Sequence, residues 1–177
     1  MAHDGLLRGG ELLSGLTVLD IIWDANLCGF DLHLDRTKTC RTGAGIRISF
    51  KDYGGMNAVS LMRMWFNLAK LWGTSSCIFP ARERNRSLNF AKTASADWFR
   101  KHLKKLCKDA GLDASQYSLH SLRAGGATDL FVARVPYPII KKWGRWVSDA
   151  AMIYYRDDED VVNAVFEAFK DLQASRR

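Results

Sequence analysis

Two stretches near the start of the chain alternate apolar and polar side chains, as half-buried β-strands do. In the first stretch the apolar positions are Phe30, Leu32 and Leu34, and in the second they are Ile46, Ile48 and Phe50. A polar residue separates each of these from the next, which is the two-residue period of a strand with one buried face. Gly43 and Gly45 lie in the turn region between the two stretches. We therefore predict a small antiparallel sheet early in the chain.

Apolar residues three or four positions apart predict that most of the remaining chain is helical. We predict helices over residues 59–72, 95–110, 119–135 and 139–143, a helix after Ser148 through Tyr155, and a last amphipathic helix over residues 161–172. Gly111, Pro136 and Gly144 lie where three of these helices are expected to end. A further helix is predicted over residues 6–16 from its leucines, although Gly9 and Gly10 would each weaken it by about 1 kcal/mol.

The fold class that these patterns predict is α+β, mainly helical, with a small antiparallel sheet near the N-terminus. Residues 73–89 hold Pro80 and a cluster of basic side chains, and we predict a loop there. The chain shows no internal repeat and no low-complexity linker, and its 177 residues are enough for one domain with its own core.

The charge of the chain favours a polyanionic partner. Lys and Arg outnumber Asp and Glu by 26 to 19, which gives a formal net charge of +7. The basic residues concentrate in residues 82–86, 100–108 and 141–145, whereas acidic residues gather in residues 157–160. Cations that neutralise phosphates release counterions, and this release drives binding to nucleic acid.

The apolar stretches and the cysteines of the sequence indicate the cellular compartment. No stretch approaches the roughly 18–20 apolar residues that span a bilayer, and no signal peptide is visible at the N-terminus. The four cysteines are widely spaced and form neither a C-x-x-C pair nor a zinc-binding pattern. We therefore expect free thiols, an intracellular protein and no membrane partner.

A pair of residues on the predicted helix 119–135 carries candidate chemistry. His120 and Arg123 are three positions apart, so the imidazole and the guanidinium share one face of the helix. Arginine binds phosphate oxygens in a forked geometry, and a histidine of ordinary pKa passes protons near neutral pH. The small residues 124–127 that follow would let the helix approach another backbone closely, including that of a nucleic acid. Alternatively, the pair belongs to a solvated helix face.

Two further motifs lie downstream. Gly144-Arg145-Trp146 precedes the pair Tyr154-Tyr155, which lies between a basic cluster and an acidic stretch. A tyrosine is usually a half-buried core residue. Here the position at the end of a short predicted helix also suits a hydroxyl that reacts.

Together these motifs resemble the C-terminal signature of tyrosine recombinases, the phage-integrase family, and also the recombinases of eukaryotic tyrosine-recombinase transposons. The string from His120 to Thr128, with Gly144-Arg-Trp146 and Tyr155-Arg156, carries the resemblance. Upstream, Arg8-Gly-Gly-Glu11-Leu12 is similar to the R-x-x-E-L motif of the family's first arginine. Lys38 lies between the predicted strands, where the family has a hairpin lysine, and Ile78-Phe79-Pro80 resembles a short motif ahead of the H-x-x-R helix. The resemblance covers nearly the whole chain.

The resemblance implies a tyrosine-recombinase catalytic fold and a role for each matched residue. Arg8 and Arg123 would bind the non-bridging oxygens of the phosphorane, and Lys38 would protonate the departing 5′-hydroxyl. His120 would assist proton transfer at the tyrosine, and Trp146 would donate its indole N–H to a phosphate oxygen. Glu11 would orient neighbouring groups.

The nucleophile that the resemblance implies is Tyr155, nine residues after Trp146, as in phage integrases. Some transposon relatives would instead align Tyr154 with the reacting tyrosine. Attack on a phosphodiester would give a 3′-phosphotyrosyl link, which conserves bond energy, so the reaction needs no cofactor, neither a metal ion nor ATP.

The implied partners are double-stranded DNA and other recombinase protomers, in a tetramer on DNA. We expect DNA contacts from six basic side chains, Arg82, Arg84, Arg86, Lys141, Lys142 and Arg145. The lysines of residues 101–108 face either DNA or water, and we expect most of them to face water. The amphipathic helix 161–172 packs either onto a neighbouring protomer or within its own chain.

The domain organisation that the sequence predicts is a single catalytic domain over residues 1–177, truncated at the N-terminus and without a separate core-binding domain. We therefore expect weak, salt-sensitive DNA affinity. Three alternatives stay open: a catalytically inactive DNA-binding remnant of a mobile-element recombinase, a DNA-relaxing enzyme similar to type IB topoisomerases, and a basic helical protein with no DNA role. The expected compartment is the cytoplasm in a bacterium or phage host and the nucleus in a eukaryote.

Overall fold

A three-stranded antiparallel sheet forms where the alternating patterns predict one. The computed structural model describes residues 1–35 and 45–154, and the sheet contains β1 (Ile21–Trp23), β2 (Gly29–Leu34) and β3 (Ile46–Lys51) in that order. Phe30 pairs with Phe50 and Leu32 with Ile48, so that the apolar positions of β2 and β3 share one buried face. Both predicted strands are therefore confirmed, and β1 pairs with β2 as a third strand at the edge of the sheet.

A second sheet lies partly within residues 73–89, where we predicted a loop, and that prediction is wrong. It consists of β4 (Pro80–Arg82) and β5 (Leu88–Thr93), which pair antiparallel as a hairpin. The pattern did not reveal it because β4 has three residues and β5 is exposed or half-buried along its whole length, so neither strand shows a buried apolar period. The cluster of basic residues lies at the turn of this hairpin.

Four helices confirm the helical patterns, with ends that differ from the predicted ones by a few residues. They are α2 (Ala58–Leu68), α3 (Ala96–Asp109), α4 (Leu119–Val132) and α5 (Tyr137–Trp143). The side chain of Asn57 accepts hydrogen bonds from two backbone N–H groups at the start of α2, and Ser95 accepts one at the start of α3. These polar side chains satisfy amide donors that the first helical turn leaves free, and so they fix where each helix begins.

The same four helices share one type of ending. The residue after each C-cap has a left-handed backbone, and these residues are Lys70, Gly111, Arg134 and Arg145. At the end of α5, for example, the Trp146 N–H donates to Lys141 O at 3.0 Å and the Arg145 N–H to Lys142 O at 3.1 Å. This pair of hydrogen bonds is the Schellman motif, in which glycine is the usual left-handed residue. Three of the four positions instead hold a cation, which interacts favourably with the negative end of the helix dipole.

The N-terminal helix is much shorter than predicted. We expected it over residues 6–16, but α1 spans only Gly9–Leu12. Leu6 has a φ of 47°, which no residue of a right-handed helix adopts, and Leu6 and Leu7 are both fully buried. The leucines are therefore core residues of a turn and a short helix rather than the stripe of one long helix.

The chain divides into two compact units, Met1–Gly126 and Ala127–Arg177, with the boundary inside α4. The first unit contains both sheets and α1–α3. The second contains α5 and, after Ser148, a 3-10 helix (Asp149–Tyr154) at the position predicted for a helix through Tyr155. Tyr155 itself and the predicted helix 161–172 lie outside the described residues. Within residues 1–35 and 45–154, no helix combines the length and the apolar character that crossing a membrane requires.

Candidate functional site

Residues 3–9 run antiparallel to the first part of α4, and three close approaches define the register. Arg123 Nη1 donates to Leu6 O at 2.7 Å. A Cβ placed on Gly9 would lie 3.2 Å from Leu119 Cβ, and one placed on Gly126 would lie 2.3 Å from His3 O. The two segments that carry Arg8 and the H-x-x-R motif are therefore packed side by side within the first unit.

The small residues after Arg123 have a structural role in this packing. Gly126 is buried, and any side chain there would collide with the backbone carbonyl of His3. We predicted that residues 124–127 allow close approach of another backbone, including that of a nucleic acid. The backbone that approaches is the chain's own, so packing alone accounts for a glycine at this position.

Arg8 is held by Glu11. Arg8 Nη1 lies 2.9 Å from Glu11 Oε1, and the Arg8 backbone N–H donates to Glu11 Oε2 at 2.8 Å. The Glu11 side chain is only 4% exposed, whereas that of Arg8 is 26% exposed. A buried carboxylate thus holds a guanidinium that is still accessible to solvent, and the orienting role of Glu11 in a reaction stays a prediction.

His120 and Arg123 lie on α4 but differ in exposure. His120 is exposed in the first turn, where the Ser121 hydroxyl accepts a hydrogen bond from the Ser118 N–H at 2.9 Å and caps the helix. Arg123 is 1% exposed, and its side chain is among the largest that are fully buried. Burial of a charge is costly unless it is hydrogen-bonded, and Leu6 O supplies one such bond.

Trp146 and Tyr154 meet within the second unit. Their ring centroids are 5.9 Å apart with an interplanar angle of 50°. The indole of Trp146 folds back over Gly144, where an added Cβ would lie 1.7 Å from Trp146 Cζ3. Arg145 Nη1 donates to Trp143 O at 3.0 Å. The glycine of the Gly-Arg-Trp motif therefore provides the space that the indole occupies beside Tyr154.

Tyr154 is the candidate nucleophile that the structure describes, since Tyr155 lies outside the described residues. Its carbonyl oxygen lies 3.5 Å from Thr128 Oγ1 of α4, a long contact at the limit for a hydrogen bond. Lys38 also lies outside the described residues, in the segment 36–44 between β2 and β3. The roles assigned to Lys38 and Tyr155 therefore stay predictions.

Asp149 is a residue that the sequence reasoning did not identify. Its Oδ1 accepts hydrogen bonds from the Tyr137 hydroxyl at 2.9 Å and from Lys141 Nζ at 2.7 Å. The hydrogen bond from Lys141, followed by that from Tyr137, lowers the pKa of Asp149. The hydrogen bond to Asp149 likewise raises the pKa of Lys141. The i, i+4 spacing of Tyr137 and Lys141 was the signal available in the sequence, because such a pair shares one helix face.

The predicted DNA-binding residues fall into two groups. Arg82, Arg84 and Arg86, which we name the hairpin arginines, are all exposed on the β4–β5 hairpin. Lys142 is exposed on α5, whereas Lys141 is half-buried and paired with Asp149. The hairpin arginines and Lys142 are thus the more accessible of the predicted phosphate contacts.

The first unit also contains an apolar groove. It has a volume of about 770 Å³ and is lined mainly by side chains of α2, α3 and the N-terminus, among them Leu61, Trp65, Phe99 and Leu106. Within the described part of the chain, its lining does not include Arg8, His120 or Arg123. In the same part of the chain, no cluster of three or more His, Cys, Asp or Glu side chains could hold a metal ion.

The solved structures that resemble this chain include DNA recombinases and an integrase, whereas no protein-family model and no curated protein matches the sequence. The XerH site-specific recombinase, in a post-cleavage complex with a palindromic difH substrate, matches 96% of this chain and 43% of its own, with a TM-score of 0.67 and 16% identity. The XerA recombinase matches 95% of this chain and 53% of its own, with a TM-score of 0.67 and 16% identity.

A third similar structure is the integrase of the transposon Tn1549, in complex with transposon right-end DNA. It matches 94% of this chain and 55% of its own, with a TM-score of 0.55 and 19% identity. The chain therefore spans about half the length of each of these three proteins. As the motifs had led us to expect, the chain has the fold of the tyrosine-recombinase catalytic domain.

Proposed function

We propose that the chain is the catalytic part of a site-specific DNA recombinase or integrase that acts through a 3′-phosphotyrosyl intermediate. The observation that carries this proposal is the register of residues 3–9 against α4, which packs the segment of Arg8 beside the H-x-x-R motif. The fold shared with XerH, XerA and the Tn1549 integrase supports it. The contact between Trp146 and Tyr154 is a second, independent support.

The two arginines stabilise the transition state in this proposal. The phosphorane gathers negative charge on its non-bridging oxygens, and guanidinium groups fixed in advance lower its free energy by several kcal/mol. Glu11 holds Arg8 in one orientation before DNA arrives. Arg123 is 1% exposed, so a phosphate reaches it by displacing the groups that cover it.

Proton transfers complete the reaction. A tyrosine hydroxyl has an ordinary pKa of about 10, so it must lose its proton as its oxygen attacks phosphorus. His120, exposed at the start of α4, assists this transfer. The P–O5′ bond breaks as the tyrosyl bond forms, and Lys38 protonates the 5′-oxygen as a general acid. Trp146 donates its indole N–H to a phosphate oxygen.

Double-stranded DNA is the proposed substrate. The XerH and Tn1549 integrase structures are complexes with DNA, and the net charge of +7 suits the same partner here. The hairpin arginines, Lys142 and Arg145 would neutralise phosphates. Recombination would require other protomers, and the predicted helix 161–172 would link them. Residues 1–177 would act as one catalytic domain. The protein would work where its DNA is, in the cytoplasm or the nucleus.

Covalent capture tests the proposal. The wild-type chain is incubated with a pool of nicked half-site duplexes of randomised sequence, in which the released strand cannot religate. We expect an SDS-resistant protein–DNA adduct, with the modified tyrosine identified by mass spectrometry. Tyr155→Phe should abolish the adduct and Tyr154→Phe should retain it, and loss with Tyr154→Phe alone would assign Tyr154 as the nucleophile. Tyr53→Phe, at a tyrosine 70% exposed and remote in sequence, is the matched control.

A second candidate function is a catalytically inactive, DNA-binding remnant of a mobile-element recombinase. The near-complete burial of Arg123 favours it, because a covered guanidinium does not meet a phosphate. Such a remnant would bind duplex DNA in a salt-dependent manner and form no adduct with any half-site. The capture experiment therefore separates the two functions.

A further inference from the structure

The start of the 3-10 helix Asp149–Tyr154 is tied to α5 through a single carboxylate oxygen. Tyr137 and Lys141 lie one helical turn apart on α5, and both donate to Asp149 Oδ1, at 2.9 and 2.7 Å. Asp149 is the first residue of the 3-10 helix, and Tyr154 is its last. The carboxylate therefore bridges two elements that a loop of five residues, 144–148, connects.

The other end of the same 3-10 helix carries Tyr154, a candidate nucleophile. The Tyr154 ring lies 5.9 Å from the Trp146 ring, and the Tyr154 carbonyl lies 3.5 Å from Thr128 Oγ1. A 3-10 helix of six residues has poorer hydrogen-bond geometry than an α-helix and little stability of its own. Contacts at its two ends therefore help to fix its position, and the hydrogen bonds to Asp149 are shorter than the contact between the Tyr154 carbonyl and Thr128.

We propose that Asp149 is a positioning residue, which through Tyr137 and Lys141 sets where the Tyr154 end of the 3-10 helix lies relative to Trp146. This inference rests on the proposed function, since only a reacting tyrosine gives the position a catalytic meaning. It also assigns Lys141 a role different from the phosphate contact expected from its charge. The neighbouring Lys142, which is exposed, keeps that role.

Electrostatics supports the geometry. The hydrogen bond from Lys141 lowers the pKa of Asp149, and the hydrogen bond to Asp149 raises the pKa of Lys141. Carboxylate and ammonium therefore both stay charged across the neutral range. Tyr137 is itself held by Phe131 of α4, with ring centroids 6.2 Å apart and nearly parallel planes. The tyrosine that donates to Asp149 is thus itself in contact with α4, a second element of the same unit.

The kinetic test separates cleavage from binding. Under single-turnover conditions at saturating half-site DNA, Asp149→Asn and Lys141→Met should each slow adduct formation about five- to ten-fold, because a small displacement of a reacting group costs rate. The DNA affinity of Asp149→Asn should be unchanged or higher, because a negative charge is removed. Lys142→Met should weaken DNA affinity, because one proposed phosphate contact is lost. The double variant Asp149→Lys/Lys141→Asp should recover much of the rate that either single change loses.

A matched control removes the same charge elsewhere. Asp109 pairs with Lys105 within α3, in a Lys–Asp ion pair whose two side chains are both exposed. Asp109→Asn should leave the saturated rate unchanged. If Asp149→Asn cleaves at the wild-type rate, or if Asp109→Asn slows cleavage as much, the positioning role is wrong.

Hydrogen–deuterium exchange tests the same contact without any reaction. In Asp149→Asn, the backbone amides of residues 150–154 should exchange several-fold faster than in wild type, with unchanged protection in α2 and α3. Asp109→Asn should leave residues 150–154 unchanged. If wild type forms no adduct, the proposed function fails, while faster exchange in Asp149→Asn still supports the contact. Exchange equal to that of wild type would overturn it.

Discussion

Arg123 and Leu6 are joined by a buried hydrogen bond, in which Nη1 of the guanidinium donates to the Leu6 carbonyl oxygen at 2.7 Å. Leu6 has a φ of 47°, a left-handed conformation that costs a residue other than glycine roughly 1–2 kcal/mol. Strained backbone of this kind persists where the surrounding structure over-determines it. Here the full burial of Leu6 and the bond from Arg123 both oppose its relaxation.

The register of residues 3–9 against α4 predicts opposite effects for two adjacent glycines. Gly126→Ala should destabilise the protein by about 1–3 kcal/mol, because the added methyl group meets the His3 carbonyl at 2.3 Å. Gly125→Ala should be neutral or stabilise by up to about 1 kcal/mol, because its Cβ would meet only the His3 side chain at 3.8 Å. Urea unfolding of the two variants measures the difference. Equal effects would contradict the close approach.

Strain at Arg145 predicts that two substitutions weaken DNA binding alike but differ in stability. Its φ is 59°, and Arg145→Gly and Arg145→Ala lose the same side-chain contacts, so Arg145→Gly should be more stable than Arg145→Ala by about 1 kcal/mol. Both changes should weaken DNA binding and reduce its dependence on salt, because one cation is lost. Arg145→Ala removes the same charge but keeps a Cβ, so it should lose the same affinity and be the less stable of the two. Urea unfolding and fluorescence anisotropy across salt concentrations would test both variants.

Asp4 predicts a loss of stability in acid. The hydrogen bond from His3, with that from the Ala58 N–H, lowers its pKa to about 2. That value lies below the pKa of about 3.9 in an unfolded chain, so the carboxylate stabilises the fold fully above pH 4 or so, and this contribution is lost as the pH falls towards 2. Asp4→Asn should lower the urea midpoint at pH 7 and match wild type near pH 2. A difference that is constant with pH would contradict this.

The two exposed basic surfaces of the first unit predict different salt dependences. Replacing the three hairpin arginines by alanine should weaken DNA binding and reduce the slope of log K against log salt by about 2–3. The matched control is the triple alanine variant of the exposed α3 lysines, Lys101, Lys104 and Lys108. We expect this variant to change the slope by less than about 1, since most of those lysines are expected to face water. Equal slopes for the two variants would contradict the assignment.

The parts of the fold that the sequence predicted are those with a local periodic signal. The strands β2 and β3 each have a buried face that alternates over six residues, and α3 begins directly after its N-cap Ser95 and ends before Gly111. The hairpin of β4 and β5 has no such signal, because its strands bury little. The length of α1 was overestimated because buried leucines in a turn have the same spacing as the apolar face of a helix.

In the candidate site, too, some residues were predictable from local sequence and others were not. Motif spacing made Arg8, Glu11 and Arg123 candidate site residues because each belongs to a short string with a fixed order, and their roles stay predictions. The contacts of Leu6 and Asp149 depend on the tertiary structure, since Leu6 and Arg123 are 117 positions apart and Asp149 meets two donors on α5. A left-handed leucine leaves no periodic trace, and the i, i+4 spacing of Tyr137 and Lys141 does not by itself indicate that Asp149 is their partner.

The antiparallel register of residues 3–9 and α4 also bears on how variants combine. Because Leu6 and Arg123 share a hydrogen bond and Gly126 adjoins His3, a substitution on one side changes the space available to the other. Neighbouring sites of this kind show non-additive effects. We therefore expect strong epistasis between the two segments, so a randomised library should vary both together, and its fit survivors should contain correlated pairs rather than independent changes.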